Sequence, residues 1–424
     1  VIFMSKQIPI LNLKEQYQQL GNELEDAVVK VLRSGSYILG ENGAQLEKEV
    51  AQLSGCKHGI GVANGTDALS LALWSLDIGE GDEVITTPFT FAATVETIAT
   101  RGAKPVFVDA DQTTFNIDSR QIEQAITAKT KAIMPVHLYG LPADMDEIQR
   151  LAKKYSLRII EDNAQAIGAK YKGRPAGSLS DVACISFYPT KNLGACGDAG
   201  MIVTNDDALA ERLRVLRAHG MRKRYYHDEL GVNSRLDEVQ AAVLLTKLRY
   251  LASWNARRQE VAELYQTYLD GCPNIALPQI PGRGALHAPA FKHDLVPTQA
   301  ETATTHVWHQ YTIRICSDQL PTSSNVPLGT IRDAVMKQLS DRGIGSMCYY
   351  PVPLHIQRAF SHFGYKLGDF PVAEKLAQQV ISLPMYPELS EEQVKSVAAA
   401  LREIVSNLDS FVGQVAPAQA VFAN

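Results

Sequence analysis

No apolar run in the 424-residue chain approaches the roughly 18 residues that a membrane-spanning helix requires. The N-terminus also lacks a charged stretch followed by an apolar one, so a secretory signal is not expected and the cytoplasm is the expected compartment. Met4 reads as a start, with Val1 to Phe3 upstream of it. Cysteine is scarce: Cys56, Cys184, Cys196, Cys272, Cys316 and Cys348 stand apart, with no CxxC pair and no clustering with histidine. That excludes a disulfide framework and gives no indication of a metal site; these read as free thiols, mostly buried. Positive charge is not in excess either. The 41 basic side chains face 46 acidic ones, a net charge of −5, which leaves no basic field for nucleic acid and favours a small partner molecule.

What is present is apolar content, 46% of residues, in a chain long enough for one large core and a smaller second domain. From about 43 to 250, amphipathic stretches alternate with short apolar runs ending in polar residues, the pattern of βα units on a mostly parallel sheet. Strands are expected at Val84–Thr87, Pro105–Val108, Ala132–Val136, Arg158–Glu161, Val182–Phe187 and Met201–Thr204. Helices are expected around Leu46, Val50 and Leu53, over Thr66–Leu76, at 144–155 with an Asp144/Glu147 capping box, and at 206–218 ending near Gly220. A boundary is placed near 255. It separates a large α/β domain, 1–255, whose first segment is allowed to pack on the other part, from a smaller α+β domain, 256–412, with strand-like His309–Ile315 and helices near 328–341 and 390–408. The Pro, Gly and Ala-rich stretch from about 278 to 305 reads as a loop, and 413–424 as a disordered tail.

Polar residues punctuate the carboxyl ends of the expected strands, where open α/β sheets gather their ligands. At Gly65-Thr66-Asp67 a glycine precedes a helix whose first amides could receive a phosphate, although helices often open this way for capping alone. Gly59, Gly61 and Gly65 imitate a dinucleotide fingerprint, but the last spacing is one residue too long and no strong strand is read before them, which disfavours a dehydrogenase. Glu161-Asp162-Asn163-Ala164-Gln165 places two carboxylates at a strand end, one of them facing the pocket. A carboxylate there can keep a pyridine nitrogen protonated; its bland alternative is a cap or a salt bridge. In Ser186-Phe187-Tyr188-Pro189-Thr190-Lys191 a lysine follows a buried strand. Lysines are mostly solvated surface charges, but desolvation can make one a nucleophile. Gly194, Gly197 and Gly200 then let the backbone crowd a ligand. His137, after another strand, either faces the pocket or is a structural histidine.

These motifs together resemble the DegT/DnrJ/EryC1/StrS aminotransferases, which act on nucleotide-linked keto sugars. The resemblance runs from about Ile8 to Pro387. It includes Ser34-Gly35-Ser36-Tyr37-Ile38-Leu39-Gly40, Thr87-Pro88-Phe89-Thr90-Phe91, Gly231-Val232-Asn233-Ser234-Arg235-Leu236-Asp237-Glu238, Tyr349-Tyr350-Pro351-Val352-Pro353-Leu354-His355 and Ser382-Leu383-Pro384-Met385-Tyr386-Pro387. It implies an aspartate-aminotransferase-like fold of type I and pyridoxal 5'-phosphate held by Lys191 as a Schiff base. Asp162 would pair with the pyridine nitrogen, Gln165 would sit by the ring hydroxyl, and Phe91 would stack on the ring. Gly65, Thr66, Asp67 and Ser186 would hold the phosphate, with Asn233 reaching in from a second subunit, so a homodimer with shared sites is implied. Tyr188, Arg235, Tyr350 and His355 would line the sugar-nucleotide cleft. L-Glutamate is the expected amino donor in a ping-pong transamination. The chain departs from the family pattern at Cys196, often aromatic, and Ala199, often glycine. A sugar dehydratase of the same fold carries histidine in place of the lysine, and a non-catalytic regulator would not need the whole set; Lys191 and its companions argue against both.

Overall fold

Short runs of Val, Ile and Met without polar interruption form the centre of the molecule, in a computed structural model that describes residues 7–279, 303–316 and 328–408. The strands in chain order are β1 (His58–Val62), β2 (Glu83–Thr86), β3 (Lys104–Phe107), β4 (Thr130–Ile133), β5 (Arg158–Asp162), the small hairpin β6 (Lys170–Tyr171) and β7 (Arg174–Pro175), β8 (Val182–Ser186) and β9 (Gly200–Thr204). Seven of them make one sheet in the order β1-β9-β8-β5-β4-β2-β3. The run from β8 to β3 is parallel, and β9 lies antiparallel to both β8 and β1. All six strands expected from the sequence are present.

Strand β1 was not expected, and its glycines are the reason. A Cβ at Gly59 would lie 2.3 Å from the Glu47 carbonyl oxygen, and one at Gly61 2.9 Å from Leu236 Cβ. The missing side chains therefore let helix α2 (Glu41–Leu53) and Leu236 close on the strand, whereas propensity reads glycine as a strand breaker. After β1 the chain turns directly into α3 (Gly65–Ser75), apolar on nearly every side because it lies on the sheet. Around it stand α1 (Leu13–Ser34), α4 (Ala92–Thr100), α5 (Ser119–Ala125), α6 (Met145–Tyr155), α7 (Asp207–Leu216) and α8 (Glu238–Leu248). A surface hairpin, β10 (Met221–Lys223) and β11 (Tyr226–His227), precedes α8.

One local expectation fails. Asp144 stands before α6 without capping it, because its carboxylate instead accepts from Tyr171 Oη at 2.6 Å and Ser119 Oγ at 2.9 Å. Helix α7 ends at Leu216, within two residues of its expected bound, and Gly220 closes it as expected: its amide donates to the Val215 carbonyl at 3.0 Å. The positive φ of Gly220 also serves the hairpin, where a Cβ would meet the Glu229 carbonyl oxygen at 1.7 Å.

The later part forms a three-stranded antiparallel sheet, β12 (Ile275–Ala276), β13 (Tyr311–Ile315) and β14 (Val380–Leu383). It packs with α9 (Leu251–Leu269), α10 (Leu328–Asp341) and α12 (Glu391–Ser406), which follows α11 (Pro371–Gln379); Val261, Ile313, Val335, Leu383 and Leu401 share one apolar cluster. The Ser390/Gln393 capping box starts α12. Ile8 joins this cluster from the N-terminus, its amide on the Gly343 carbonyl at 2.9 Å and its carbonyl taking the Gly345 amide at 2.8 Å. The boundary expected near 255 falls inside α9, which starts against the sheet core at Leu251 and continues into the second core at Val261. No helix of the described residues is long and apolar enough to cross a membrane. Most of the 278–305 loop and the 413–424 tail lie outside the described residues.

Candidate active site

Because side chains alternate across a strand, Glu161 and Asp162 at the end of β5 point to opposite faces. Glu161 is fully buried and accepts from the Gly177 amide (2.9 Å), the Leu179 amide (3.0 Å), Ser180 Oγ (2.7 Å) and His137 Nε2 (2.7 Å). Burial pushes its carboxyl up, but these donors outweigh that and hold it below the ordinary range. His137 Nδ1 accepts the Ala143 amide at 3.2 Å, so its proton sits on Nε2 and points at Glu161. His137 is thereby a structural residue of the far face.

Asp162 takes the other face. Its Oδ2 accepts from Thr94 Oγ1 at 2.8 Å, and its Oδ1 accepts the Ala164 amide at 3.2 Å. Burial raises its pKa above the usual carboxylate value, against those donors and the charge of Lys191. Lys191 stands in the loop after β8, and burial pulls its amine down to about 8, opposed by Asp162. About a tenth of it is then neutral at pH 7. A buried acid and a buried amine each pay desolvation here and each gains from the other.

Ser186 ends β8 against the start of α3: a Cβ on Gly65 would lie 2.7 Å from Ser186 Cβ. The Asp67 amide is not open to a ligand as the resemblance implied, because it donates to Asn64 Oδ1 at 2.8 Å, while the Asp67 carboxylate accepts from Ser234 Oγ at 2.6 Å. The Gly65 and Thr66 amides remain at the helix mouth, beside the Ser186 hydroxyl. Phe91 stands at the N-terminus of α4 with 56% of its surface exposed, an unusual setting for a large aromatic, and its ring centroid is 6.1 Å from that of Tyr350. Gln165 is fixed at both ends, accepting the Tyr139 amide at 2.7 Å and donating to Tyr350 Oη at 3.2 Å. Asp162, Gln165, Tyr350, Lys191 and Phe91 are thus linked in one region.

The other expected residues separate. Tyr188 is exposed, Asn233 is exposed beside Ser234, and the buried Arg235 Nε has no hydrogen-bond partner. His355 is not brought to the cleft. It is fully buried between Phe107 and Phe370, Nε2 lies 2.9 Å from Glu374 Oε1, and burial lowers its pKa.

Three residues were not singled out from the sequence. Thr94 holds Asp162, and its only sequence signal is its place one turn after Phe91. His309 lies within the field of Lys191 and bonds Asn192 through Nδ1 at 3.1 Å. Glu238, fully buried, accepts the amides of Gly40 (2.9 Å), Asn42 (2.9 Å) and Gly43 (2.8 Å), joining two matched motifs that lie far apart in sequence. A cavity of about 870 Å³ lies beside it between α1, α2 and α8, and Lys191 does not line it; chemistry, not volume, locates the site.

The DegT/DnrJ/EryC1/StrS aminotransferase family model matches residues 18–402. The pleiotropic regulatory protein of Geobacillus stearothermophilus is 48% identical over 397 residues, 93% of this chain and 98% of its own. UDP-N-acetyl-3-dehydro-alpha-D-glucosamine 3-aminotransferase of Acidithiobacillus ferrooxidans is 47% identical over 395 residues, 93% of this chain and 97% of its own. Among solved structures, S. venezuelae DesV in complex with a ketimine intermediate superposes with a TM-score of 0.84 at 42% identity, covering 95% of this chain and 99% of that one. NtdA of Bacillus subtilis with bound cofactor PMP gives 0.78 at 30% identity, covering 96% and 86%.

Proposed function

The chain belongs to the DegT/DnrJ/EryC1/StrS aminotransferase family, and from that premise we propose that it moves an amino group from L-glutamate to a nucleotide-linked keto sugar, with pyridoxal 5'-phosphate as carrier. Its α/β fold with a seven-stranded, mostly parallel sheet is that of the type I aminotransferases. The observation that carries the reading is Lys191, an amine drawn down to about 8 beside a buried carboxylate.

The donor set fits the cofactor group by group. Lys191 would hold the aldehyde carbon, Asp162 would face the pyridine nitrogen, and Gln165 would sit at the ring hydroxyl. Phe91 offers an exposed ring face. Gly65, Thr66 and Ser186 form a cradle too narrow for a side chain at 65, suited to a phosphate at a helix mouth. When bound, the cofactor supplies an electron sink for the carbanion at the amino-acid carbon. Asp162 keeps a proton on the ring nitrogen, and neutral Lys191 Nζ takes a proton from the amino-acid carbon in one half of the cycle. The keto acid leaves before the keto sugar enters, and Lys191 Nζ works in the reverse direction in the second half. The 3-aminotransferase among the relatives supports amination at C3. A homodimer with Asn233 serving the partner's phosphate cradle is part of this reading; exposed Tyr37, Ile38 and Leu39, together with Tyr225, Tyr226 and Leu230 near Asn233, supply apolar surface for it.

The test is to incubate pure protein with glutamate and a panel of nucleotide-linked 3-keto and 4-keto sugars, identifying products by mass and NMR. Borohydride reduction should fix the cofactor to Lys191, and a label elsewhere or nowhere refutes the reading. A regulatory role is the second reading, favoured by the name of the Geobacillus stearothermophilus relative. Colourless protein that takes up no cofactor would select it.

A further inference from the structure

Asp162 does not stand alone at the ring-nitrogen position. Thr94 Oγ1 lies 2.8 Å from its Oδ2, and Thr90 Oγ1 lies 3.1 Å from Thr94 Oγ1. Both threonines are buried, at 2% and 0% exposure, so water does not compete for these bonds. A hydroxyl has one proton. While Asp162 is ionised, Thr94 spends that proton on the carboxylate and must accept from Thr90, which sets the direction of the chain as Thr90 to Thr94 to Asp162. The Ala164 amide, 3.2 Å from Oδ1, fixes the other oxygen and leaves it lone pairs on the open side. The same first turn of α4 presents Phe91, whose carbonyl accepts the Thr94 amide at 3.3 Å, so one turn places both the aromatic face and the hydroxyl.

We propose that Thr94, backed by Thr90, is a positioning residue that keeps Asp162 ionised and turned toward the cofactor's ring nitrogen. This rests on the function proposed above. The other polar groups around Asp162 leave the task to the threonines. Lys191 approaches from the loop after β8, and its amine is needed for chemistry. His137 spends its Nε2 proton on Glu161. The Cys184 thiol, paired in register on β8, is pushed up by burial and by Asp162 and so stays neutral. The Tyr350 phenol accepts from Gln165 and is likewise pushed up by burial. Burial drives Asp162 toward its neutral form, and the Thr94 hydroxyl is the foremost group opposing it.

The experiment compares Thr94→Val, which keeps the shape and deletes the hydroxyl, with Thr94→Ser, which keeps the hydroxyl, and with Thr90→Val. Two readouts apply to each purified variant: the cofactor dissociation constant, and the pH dependence of the bound cofactor's absorbance. In Thr94→Val the acid-side absorbance transition should move to higher pH, and the dissociation constant should rise roughly tenfold or more. Thr94→Ser should stay within about twofold of the parent, and Thr90→Val should fall between. The proposal is overturned if Thr94→Val titrates and binds like the parent, or if Thr94→Ser is as impaired as Thr94→Val, which would make the methyl group the active part. Should Thr94→Val fail to fold, an unchanged Thr90→Val overturns the relay. Borohydride trapping at Lys191 in the parent separates this outcome from failure of the underlying reading.

Discussion

At the scale of single residues, Lys191 and Asp162 are costly to the empty fold and useful to the loaded one. Lys191 has a folded value lowered from 10.5 to about 8, so between those pH values the folded chain binds fewer protons than the unfolded one. Stability of the cofactor-free protein therefore rises with pH across that window and levels off above it. Lys191→Met should abolish turnover and trapping, yet raise the stability of the cofactor-free protein near pH 7 by about 1–3 kcal/mol, read by urea denaturation of both forms. A loss of stability in that variant would mean the amine is not under desolvation strain. Asp162 has the opposite proton count: between the ordinary carboxylate value and its raised folded value the folded form holds more protons, so stability falls as pH rises through that window and the penalty is complete above it. Phe91 belongs to a different class. With its ring 56% exposed, Phe91→Ala should leave the fold intact and weaken cofactor binding by about 0.5–1.5 kcal/mol, roughly two- to tenfold in dissociation constant. Spectrophotometric titration with the cofactor measures this directly.

At the scale of elements, α2 is started by a residue from α8. Its N-cap, Gly40, has no side chain to offer, and Glu238 takes three of the amides that the helix mouth would otherwise bury unpaired. Glu238→Ala leaves those donors without an acceptor and should cost about 3–5 kcal/mol, with faster hydrogen exchange at residues 40–43. Unchanged exchange there would show that the clamp is not holding the segment. Such contacts mark the limit of what could be read from sequence. The six apolar strands and α3 announce themselves by local pattern, and the Lys191, Asp162 and Gln165 set by motif. Strand β1 is silent because its glycines answer to Glu47 and Leu236, not to propensity. Asp144 has the letters of a capping box but is drawn away by Tyr171 and Ser119. Thr94 acts on Asp162 and Glu238 on residues 40–43, partners distant in sequence, and His355, identical in letter to a cleft residue, is committed to Glu374.

At the scale of the whole molecule, the chain ties its two cores together through α9 and through Ile8, yet it leaves Asn233 exposed at the foot of the β10–β11 hairpin. Its neighbour Ser234 is anchored inward on Asp67, so the backbone there is fixed while the Asn233 side chain faces out. If that side chain completes a second subunit's phosphate cradle, each site draws its lysine from one chain and its asparagine from the other. Two separately inactive variants, Lys191→Ala and Asn233→Asp, should then complement. The first lacks the amine, and the second sets a negative charge against the phosphate. Unfolded together and refolded at equal amounts with cofactor, half of the dimers are mixed, and each mixed dimer has one site with both native residues. About a quarter of parental activity should return on random pairing. Light scattering on the parent fixes the subunit count independently. Dimers that show no recovery would place Asn233 at its own chain's site or at none, and monomers would remove the shared site altogether.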